Sequence, residues 1–320
     1  CFCRFIQAAV GGKYEVLIAK RDGAIVGALP YFRKTDPEFG SVFNSLPWYG
    51  SHGGCIVSEQ DAESVRRELL DAFRSQLDTP ELIASTLILS PYENELRATY
   101  EAAISPTAFD HRIGQITSLP EPGEGLEGRL ESVLLQKTRN LVRKARRQGF
   151  VEAVSDDEWA WRFLHEVHLE NMSAIGGKAK PWPHFASLRE QLPREGRRLS
   201  IALYRDEPVA GMLLVLFNRT VEYVTPAIRY EYRSLQPLSF LIWQGMLEVG
   251  SRGFKWWNWG GTWKTQDSLH HFKAGWGAQE WPYTYLVSVG RHRLPELQSA
   301  WSKIAPAFPF YFVYPLSQLR

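Results

Sequence analysis

The residues best suited to chemistry in this sequence lie within one segment, from Phe254 to Tyr283. Lys273 is the candidate cation of a site there, and Asp267 and His270 are ionisable neighbours that could act as acid or base. The double glycine Gly260-Gly261 precedes them, and glycine lets a backbone take positive φ and approach a ligand closely. The spacing predicts one site built from these groups, although a plain surface lysine is the alternative interpretation.

A buried strand must position these groups. Residues 254–259 are apolar on both alternating faces, which is typical of a central strand covered on both sides. Sites of α/β folds lie beyond the carboxyl ends of such strands, so Asn258, Gly260 and Gly261 are predicted to bind substrate. A helix at 267–274 and a strand at 281–287 are predicted to follow. Trp263 or Trp276, each beside a glycine or a turn, could line the pocket.

A basic amphipathic helix is predicted from Glu131 to Gly149. No acidic residue lies between Ser132 and Gly149 to pair with its cations. Charge runs are commonly solvated faces, but the absence of acids favours contact with phosphates of a nucleotide-sugar, coenzyme A or tRNA. The candidate substrate-binding residues on this helix are Lys137, Arg139, Asn140, Arg143 and Lys144.

Two hairpin patterns indicate an internal duplication. Each consists of an apolar strand, a charged turn and a second apolar strand. At one constant spacing, Arg21 matches Arg205, Asp22 matches Asp206 and Gly27 matches Gly211. Further elements are predicted as strands at 42–46, 54–57, 82–89 and 221–225, and as helices at 61–76, 94–103 and 237–249. The predicted domains are an N-terminal half at 1–125, the joining basic helix at 126–150, and a C-terminal half at 151–320 that carries the site.

Composition excludes several classes of protein. With 320 residues, 44% hydrophobic and 22% charged, the chain can bury a full core, and a net charge of +2 signals no strong polyanion binding by itself. No run of eighteen apolar residues is present, so no spanning helix is predicted. Three cysteines without metal-type spacing favour a reduced, cytoplasmic setting. The start lacks an initiator Met and a signal-peptide pattern, so we expect that the natural N-terminus has been lost.

His165 and His168 share one face of a predicted helix, where a metal site would be geometrically feasible. Their spacing differs from the four-residue separation of a zincin helix, and no third ligand is evident. We therefore predict no metal site.

The order hairpin, strand, helix, strand, helix, strand resembles the GNAT acyltransferase fold, and a tandem pair resembles the FemAB-type transferases. The resemblance is carried by Lys137 through Ala145, by Val209-Ala210-Gly211, and by Phe272-Lys273 before Gly275 and Gly277. It implies an α/β (α+β) protein of two tandem GNAT-like acyltransferase domains, with mixed sheets flanked by helices. The implied activity is transfer of an acyl or aminoacyl group onto an amine of a cell-envelope precursor or related metabolite.

The same resemblance assigns roles to individual residues. The Phe272-Lys273 pair matches a pair at the acyl-donor end of the Fem channel, where a lysine can stabilise an oxyanion or hold a donor phosphate. Tyr223 matches the acceptor-site tyrosine, although packing is an equal interpretation. The predicted catalytic residues are thus Lys273, Tyr223, His270 and Asp267. Lys178 and Trp182 are added to the predicted substrate-binding residues.

The acyl donor is left open between aminoacyl-tRNA and acyl-CoA, and no tightly bound cofactor is predicted. Acyl-CoA enzymes of this fold carry a glycine-rich loop, whereas residues 229–236 contain no glycine. Arg233 and Gln236 are the predicted donor-binding residues, at the start of a helix whose amides attract anions. The alternatives are an acyl-CoA-dependent N-acetyltransferase of polysaccharide or metabolite synthesis, and a non-catalytic module of the same fold.

Overall fold

The computed structural model describes residues 2–46, 53–58, 61–262, 266–290 and 293–311. The described residues belong to two compact units. Unit 1 falls within residues 1–5 and 114–281, and unit 2 within residues 6–113 and 282–320. Of the helices described, none has the length and apolar character that a helix needs to cross a membrane.

The elements of the first 118 residues begin with a helix and a hairpin. In chain order they are α1 (Phe2–Val10), β1 (Lys13–Arg21), β2 (Ala24–Asp36), β3 (Gly40–Asn44), β4 (Ile56–Val57), α2 (Ala62–Leu77), β5 (Leu82–Ile88), α3 (Arg97–Ile104) and β6 (Ala108–Ser118). The predicted strands and helices of this half are confirmed to within a few residues. Their apolar side chains form a core between α2, α3 and the strands, with Phe73, Leu87 and Tyr100 fully buried.

The elements that follow are mostly those of unit 1. They are α4 (Leu126–Val133), α5 (Gln136–Arg146), β7 (Val151–Val154), α6 (Glu158–Ala174), α7 (Trp182–Gln191), β8 (Arg197–Tyr204), β9 (Glu207–Phe217), β10 (Thr220–Ile228), α8 (Pro237–Ser251), β11 (Trp256–Thr262), α9 (Asp267–Gly275), β12 (Gln279–Val289) and α10 (Leu294–Ala307). The central strand starts at Trp256 rather than Phe254, because the amide of Phe254 still bonds the carbonyl of Val249 at the end of α8.

In each unit, parallel and antiparallel strand pairs are flanked by helices, as the sequence predicts. In unit 1 the strand order is β6-β11-β10-β9-β8-β7, and in unit 2 it is β1-β2-β3-β5-β12-β6 with β4 on β2. The units differ from the predicted halves, 1–125 and 151–320, because β12 pairs antiparallel with β5 through Tyr285 and Ile88. Every residue of β5 is buried, so its backbone needs a partner strand on both edges.

The two hairpins have the same geometry. Both turns hold two residues at positive φ, Asp22-Gly23 in one and Arg205-Asp206 in the other. Both ladders carry a bulge at the same distance from the turn, after Ala19 and after Ala202. The predicted alignment is therefore wrong by one residue. Gly27 pairs with Ala19 across the first hairpin, and Ala210 pairs with Ala202 across the second, so Gly27 corresponds to Ala210. The predicted match, Gly211, pairs with Ile201 instead. In both copies a third strand, a helix and a parallel strand follow.

The predicted basic helix at 131–149 is two helices. The chain turns extended at Leu134 and Leu135, because Leu134 is buried in the core of unit 1 and the amide of Leu135 bonds the carbonyl of Gly275. The break lets acids of α4 reach the cations of α5. Glu131 pairs with Arg143, and Glu127 pairs with Arg146.

Candidate functional site

The parallel pair β10 and β11 opens at one point. Their ladder runs from Thr220 opposite Trp256 to Glu222 opposite Asn258 and then stops, although both strands continue and are described throughout. Strands that diverge leave unpaired backbone groups and room for a ligand between them. We call this opening, beyond Glu222 and Asn258, the notch.

A β-bulge decides which side chains reach each side of the notch. Glu222 pairs with Val215 and Thr225 pairs with Leu213, so the extra residue between Tyr223 and Thr225 puts Glu222 and Thr225 on one face. Without the bulge their odd spacing would put them on opposite faces. That face lies under α6, because a side chain at Gly211 would touch Leu164 and Phe163 of that helix.

Glu222 and Asn258 are coupled on the α6 face. Asn258 Nδ2 donates to Glu222 Oε1 at 3.0 Å, and the Asn258 Oδ1 accepts from the Gly260 amide at 2.8 Å. Asn258 is thus held on both sides, and it presents the carboxylate at the mouth of the notch. Glu222 was not among the predicted residues, although its charge within the otherwise apolar run from Val221 to Val224 was a usable signal.

Tyr223 lies on the opposite face, which packs under α8. Its ring is 5.0 Å from Trp259 and 6.0 Å from Trp257, and burial raises its pKa. Trp259 in turn contacts Phe272 and Trp276 of the α9 region. Phe272 remains 40% exposed, so the predicted Phe272 forms the outer end of an aromatic row that begins at Tyr223.

Lys273 lies at the end of β11 as the sequence predicts. It is only 4% exposed, and its Nζ donates to Thr262 Oγ1 at 2.8 Å and to the carbonyls of Gly260 at 3.3 Å and Gly261 at 3.4 Å. All of these described partners are neutral oxygens. Because burial disfavours the ammonium form, it lowers the pKa of Lys273 to about 8.

His270 and Asp267 bind elsewhere. His270 Nε2 is 2.7 Å from the carboxylate of Glu280, and its carbonyl accepts from Gln115 at 3.1 Å. Asp267 is exposed at the first turn of α9, where its carbonyl accepts from His271. The contacts of these two residues therefore differ from those of Lys273. Trp263, the other predicted pocket residue, lies outside the described residues, and Trp276 is buried in the core.

A second lysine approaches β10 on the α6 face. Lys180 Nζ is 3.4 Å from Thr225 Oγ1, and its amide donates to His168 Nε2 at 3.0 Å. This bond occupies Nε2, one of the two His168 nitrogens that could bind a metal. Among the described residues, no group of three or more His, Cys, Asp or Glu side chains is placed to hold a metal ion.

The predicted neighbours of Lys180 are more peripheral. Lys178 is exposed, and Trp182 is half-buried, with the Arg162 guanidinium 3.6 Å from its ring centre. Lys178 is the predicted residue, whereas Lys180 is a lysine of the same loop that contacts the sheet. Nothing in the sequence separates two lysines that stand two positions apart in one loop.

The start of α8 lies beyond the carboxyl end of β10. Gln236 takes positive φ before the helix, and its side chain bonds Ser239 and the carbonyl of Arg233. Gln236 therefore braces the helix start. Arg233 is exposed and stacks on Tyr230, with 4.9 Å from guanidinium carbon to ring centre.

The predicted cations of α5 form a surface rather than a pocket. Lys137, Lys144 and Asn140 are exposed, whereas Arg139 bonds Gln136 within its own helix. A cleft of about 480 Å³ lies along this helix. It is lined by Asn140, Arg143, Lys144, Arg147 and Gln148.

One protein family matches a segment of unit 1. Residues 134–281 match the family described as acetyltransferase (GNAT) domain, a range that contains the notch, the start of α8 and Lys273. This segment, somewhat less than half of the chain, is thus similar to a GNAT acetyltransferase domain. No curated protein matches the sequence significantly.

Solved structures resemble most of the chain. The structure of FemX superposes with a TM-score of 0.72 at 14% identity, covering 93% of this chain and 92% of that one. The C-terminal domain of a putative lysylphosphatidylglycerol synthetase from Agrobacterium fabrum gives 0.54 at 12% identity, covering 90% and 88%. A tandem GNAT protein from the clavulanic acid biosynthesis pathway gives 0.53 at 11%, covering 87% and 83%. At these identities the likeness concerns the fold.

Proposed function

We propose that this protein transfers an acyl or aminoacyl group onto the amine of a cell-envelope precursor or a related metabolite. The observation that carries the proposal is the notch, where a parallel strand pair opens between a carboxylate, Glu222, and a strand end that holds a buried ammonium, Lys273. Acyl transfer to an amine needs a group that removes a proton and a group that stabilises negative charge.

The reaction follows from these two groups. The amine nitrogen attacks the acyl carbonyl carbon, and a tetrahedral oxyanion forms. The bond to the ester oxygen or thioester sulfur then breaks, and that atom leaves with the electron pair. Glu222 accepts the proton that the amine gives up, because Asn258 holds its carboxylate at the mouth of the notch. Lys273 stabilises the oxyanion or, in the alternative role, holds the donor.

The names of two similar structures support the aminoacyl version of the proposal, since FemX and the lysylphosphatidylglycerol synthetase share the fold. A specific observation favours a second candidate, an acyl-CoA-dependent N-acetyltransferase. The matching family is described as an acetyltransferase domain, and the α8 start presents backbone amides to which phosphates can bind. Arg233 is exposed at that helix start and could add charge in either case.

The experiment compares donors directly. The protein is incubated with amine acceptors and either a panel of acyl-CoAs or a panel of aminoacyl-tRNAs, and mass spectrometry follows the acceptor. The expected result is a mass increase of one acyl or aminoacyl group with one donor class. An increase only with acetyl-CoA would establish the second candidate. If no donor acylates any amine, the proposal is wrong.

The role of Glu222 is tested in the same assay. Glu222→Gln is expected to lower kcat by about 10²-fold or more, since a positioned base contributes roughly that factor. Glu207→Gln is the matched control, because Glu207 is exposed on β9 and accepts a hydrogen bond from the hydroxyl of Tyr232. If the two variants behave alike, Glu222 is not the base.

A further inference from the structure

The outward side of α5 and the turn between β8 and β9 form one basic surface. The cleft of about 480 Å³ along α5 adjoins a second cleft of about 390 Å³, since Gln148 lines both. Lys144 and Arg147 line the first cleft, and Arg205 lines the second. Lys137 lies two helical turns before Lys144 and therefore on the same side of α5. We call this surface the basic face and define it by Lys137, Lys144, Arg147 and Arg205.

The charge of the basic face is not cancelled by acids of the chain. All four of its side chains are exposed. In the part of the chain that the structure describes, no acid forms an ion pair with the three cations on α5, because the two acids of α4 pair with Arg143 and Arg146 instead. Among the described residues that line the two clefts, Asp206 is the one acid. Four cations thus stand against one carboxylate, and the face is complementary to an anionic partner.

Exposed apolar side chains stand at both ends of α5. Leu135, directly before the helix, is 58% exposed, and Val151, which lines the second cleft, is 62% exposed. Apolar groups beside cations are typical of a surface that lies on a membrane, where lipid phosphates meet the cations and the apolar groups enter the headgroup boundary. A nucleic-acid backbone would attract the same cations, but it offers no comparable place for a leucine and a valine. The combination therefore favours a lipid surface.

We propose that the basic face is a docking surface for a membrane that contains anionic phospholipids. Lipid phosphates bind in the two clefts, and Leu135 and Val151 enter the boundary between headgroups and acyl chains. The face extends for about 18 Å along the axis of α5, from Leu135 to Arg147, so it can contact more than one lipid. This inference goes beyond the proposed function, because it requires neither an acyl donor nor an amine acceptor.

The first test is co-sedimentation of the wild-type protein with lipid vesicles. One set of vesicles is made of phosphatidylcholine alone, and the other contains about one third phosphatidylglycerol as the anionic lipid. Binding to the anionic vesicles is expected to be at least tenfold tighter and to weaken as the salt concentration rises, because the attraction is electrostatic. Equal binding to both kinds of vesicle, or binding to neither, would overturn the proposal without any variant.

A triple variant then locates the contact. Lys144→Gln, Arg147→Gln and Arg205→Gln together should weaken binding to the anionic vesicles about 10²-fold, since each cation near such a surface contributes roughly a factor of five. The matched control removes the same charge from exposed arginines that already pair with an acid. It combines Arg67→Gln, Arg162→Gln and Arg252→Gln. If the two triple variants weaken binding equally, the net charge of the protein is responsible and the proposal fails.

A double variant distinguishes a membrane from a nucleic acid. Leu135→Gln with Val151→Thr should weaken binding to the anionic vesicles about fivefold and leave binding to a single-stranded RNA unchanged, because only the lipid takes up apolar side chains. Ile175→Gln, a change at another exposed apolar residue, is the control. If vesicle binding is the same in the double variant and the wild-type protein, the face is a general polyanion surface and the membrane assignment is wrong. No acyl donor is present in these assays, so their outcome is independent of the transferase function.

Discussion

Each unit contains one parallel strand pair, and the two pairs differ in how far their hydrogen bonds extend. In unit 2 the parallel pair β3 and β5 stays closed: after Asn44 opposite Thr86, the amide of Ser45 bonds Thr86 and the amide of Gly53 bonds Ile88, each at 2.9 Å. In unit 1 the equivalent pair, β10 and β11, stops at Glu222 and Asn258. One topology thus keeps its backbone hydrogen bonds in one copy and gives them up in the other.

The side chains at the two places differ accordingly. Asn44 in unit 2 is fully buried, and its amide donates to the carbonyl of Tyr311 at 2.7 Å, so the chain itself fills the position. In unit 1, Glu222 lies at the corresponding position of β10, and Lys273 bonds Thr262 at the end of β11. Charged groups are costly to bury unless they have a task or a partner. The difference supports the proposal that the reaction takes place in unit 1.

The largest expected effect is at Lys273. Lys273→Ala should lower kcat by about 10²-fold or more with the fold intact, because an oxyanion loses its stabilising charge. Lys273→Arg should recover only part of the loss, since a planar guanidinium is larger than an ammonium. Steady-state kinetics and circular dichroism measure the two quantities.

Two other outcomes would change the assignment. A raised KM with constant kcat would mean that Lys273 holds the donor rather than the transition state. If neither parameter moves, the site does not lie at the end of β11, and the contrast between the units loses its basis.

The matching change in unit 2 should affect stability and leave catalysis alone. Asn44→Ala is expected to lower the free energy of unfolding by about 1–3 kcal/mol, because the buried carbonyl of Tyr311 loses its donor. Urea denaturation measures this, with exposed Asn94→Ala as the control. A large loss of kcat at full stability would show that unit 2 takes part in the reaction.

Acid should destabilise unit 1 through its buried histidines. Burial lowers the pKa of His168 to about 4 and that of His184 to about 2, so between about pH 6.5 and pH 4 the unfolded chain binds more protons than the folded one. The free energy of unfolding should therefore fall as pH drops through this window. In urea titrations at several pH values, His168→Gln should flatten the dependence. The same slope in both proteins would assign the effect to other groups.

The smallest effect is expected on α5. Lys144→Gln with Arg147→Gln should weaken binding of a phosphate-bearing donor a few-fold and reduce its salt dependence, because exposed cations act through screened charge. Arg146→Gln is the control, since Glu127 already pairs with that arginine. The measurement is the affinity for the donor at two salt concentrations. If the double variant has the same affinity and the same salt dependence as the wild-type protein, the cations of α5 are only a solvated face toward the donor.

Local signals in the sequence predicted much of this molecule. Turn residues located both hairpins, and the double glycine located the end of β11 and Lys273 beside it. These features depend on residues adjacent in the chain. The break at Leu134 was missed because it depends on burial against distant strands, which a periodic charge pattern does not contain.

The grouping of Glu222, Thr225 and Lys180 on one face of β10 was not predicted from the sequence. Glu222 and Thr225 reach the same face only through a bulge, whose position is set by pairing with β9. Lys180 becomes relevant only because its loop packs on Thr225, forty-five positions further along the chain. Spacing alone would have put Glu222 and Thr225 on opposite faces. Tertiary pairing therefore decides which side chains share this face.

The path of the chain has a consequence for how the protein is made. Unit 2 needs residues 282–289 as the partner of β5, and the whole of unit 1 is synthesised before them. Until they leave the ribosome, one edge of β5 exposes unpaired backbone groups, which is a hazard for aggregation. A nascent chain that stalls within unit 1 would thus depend on chaperones to cover that edge. Contacts this distant in sequence also make the last step of folding slow.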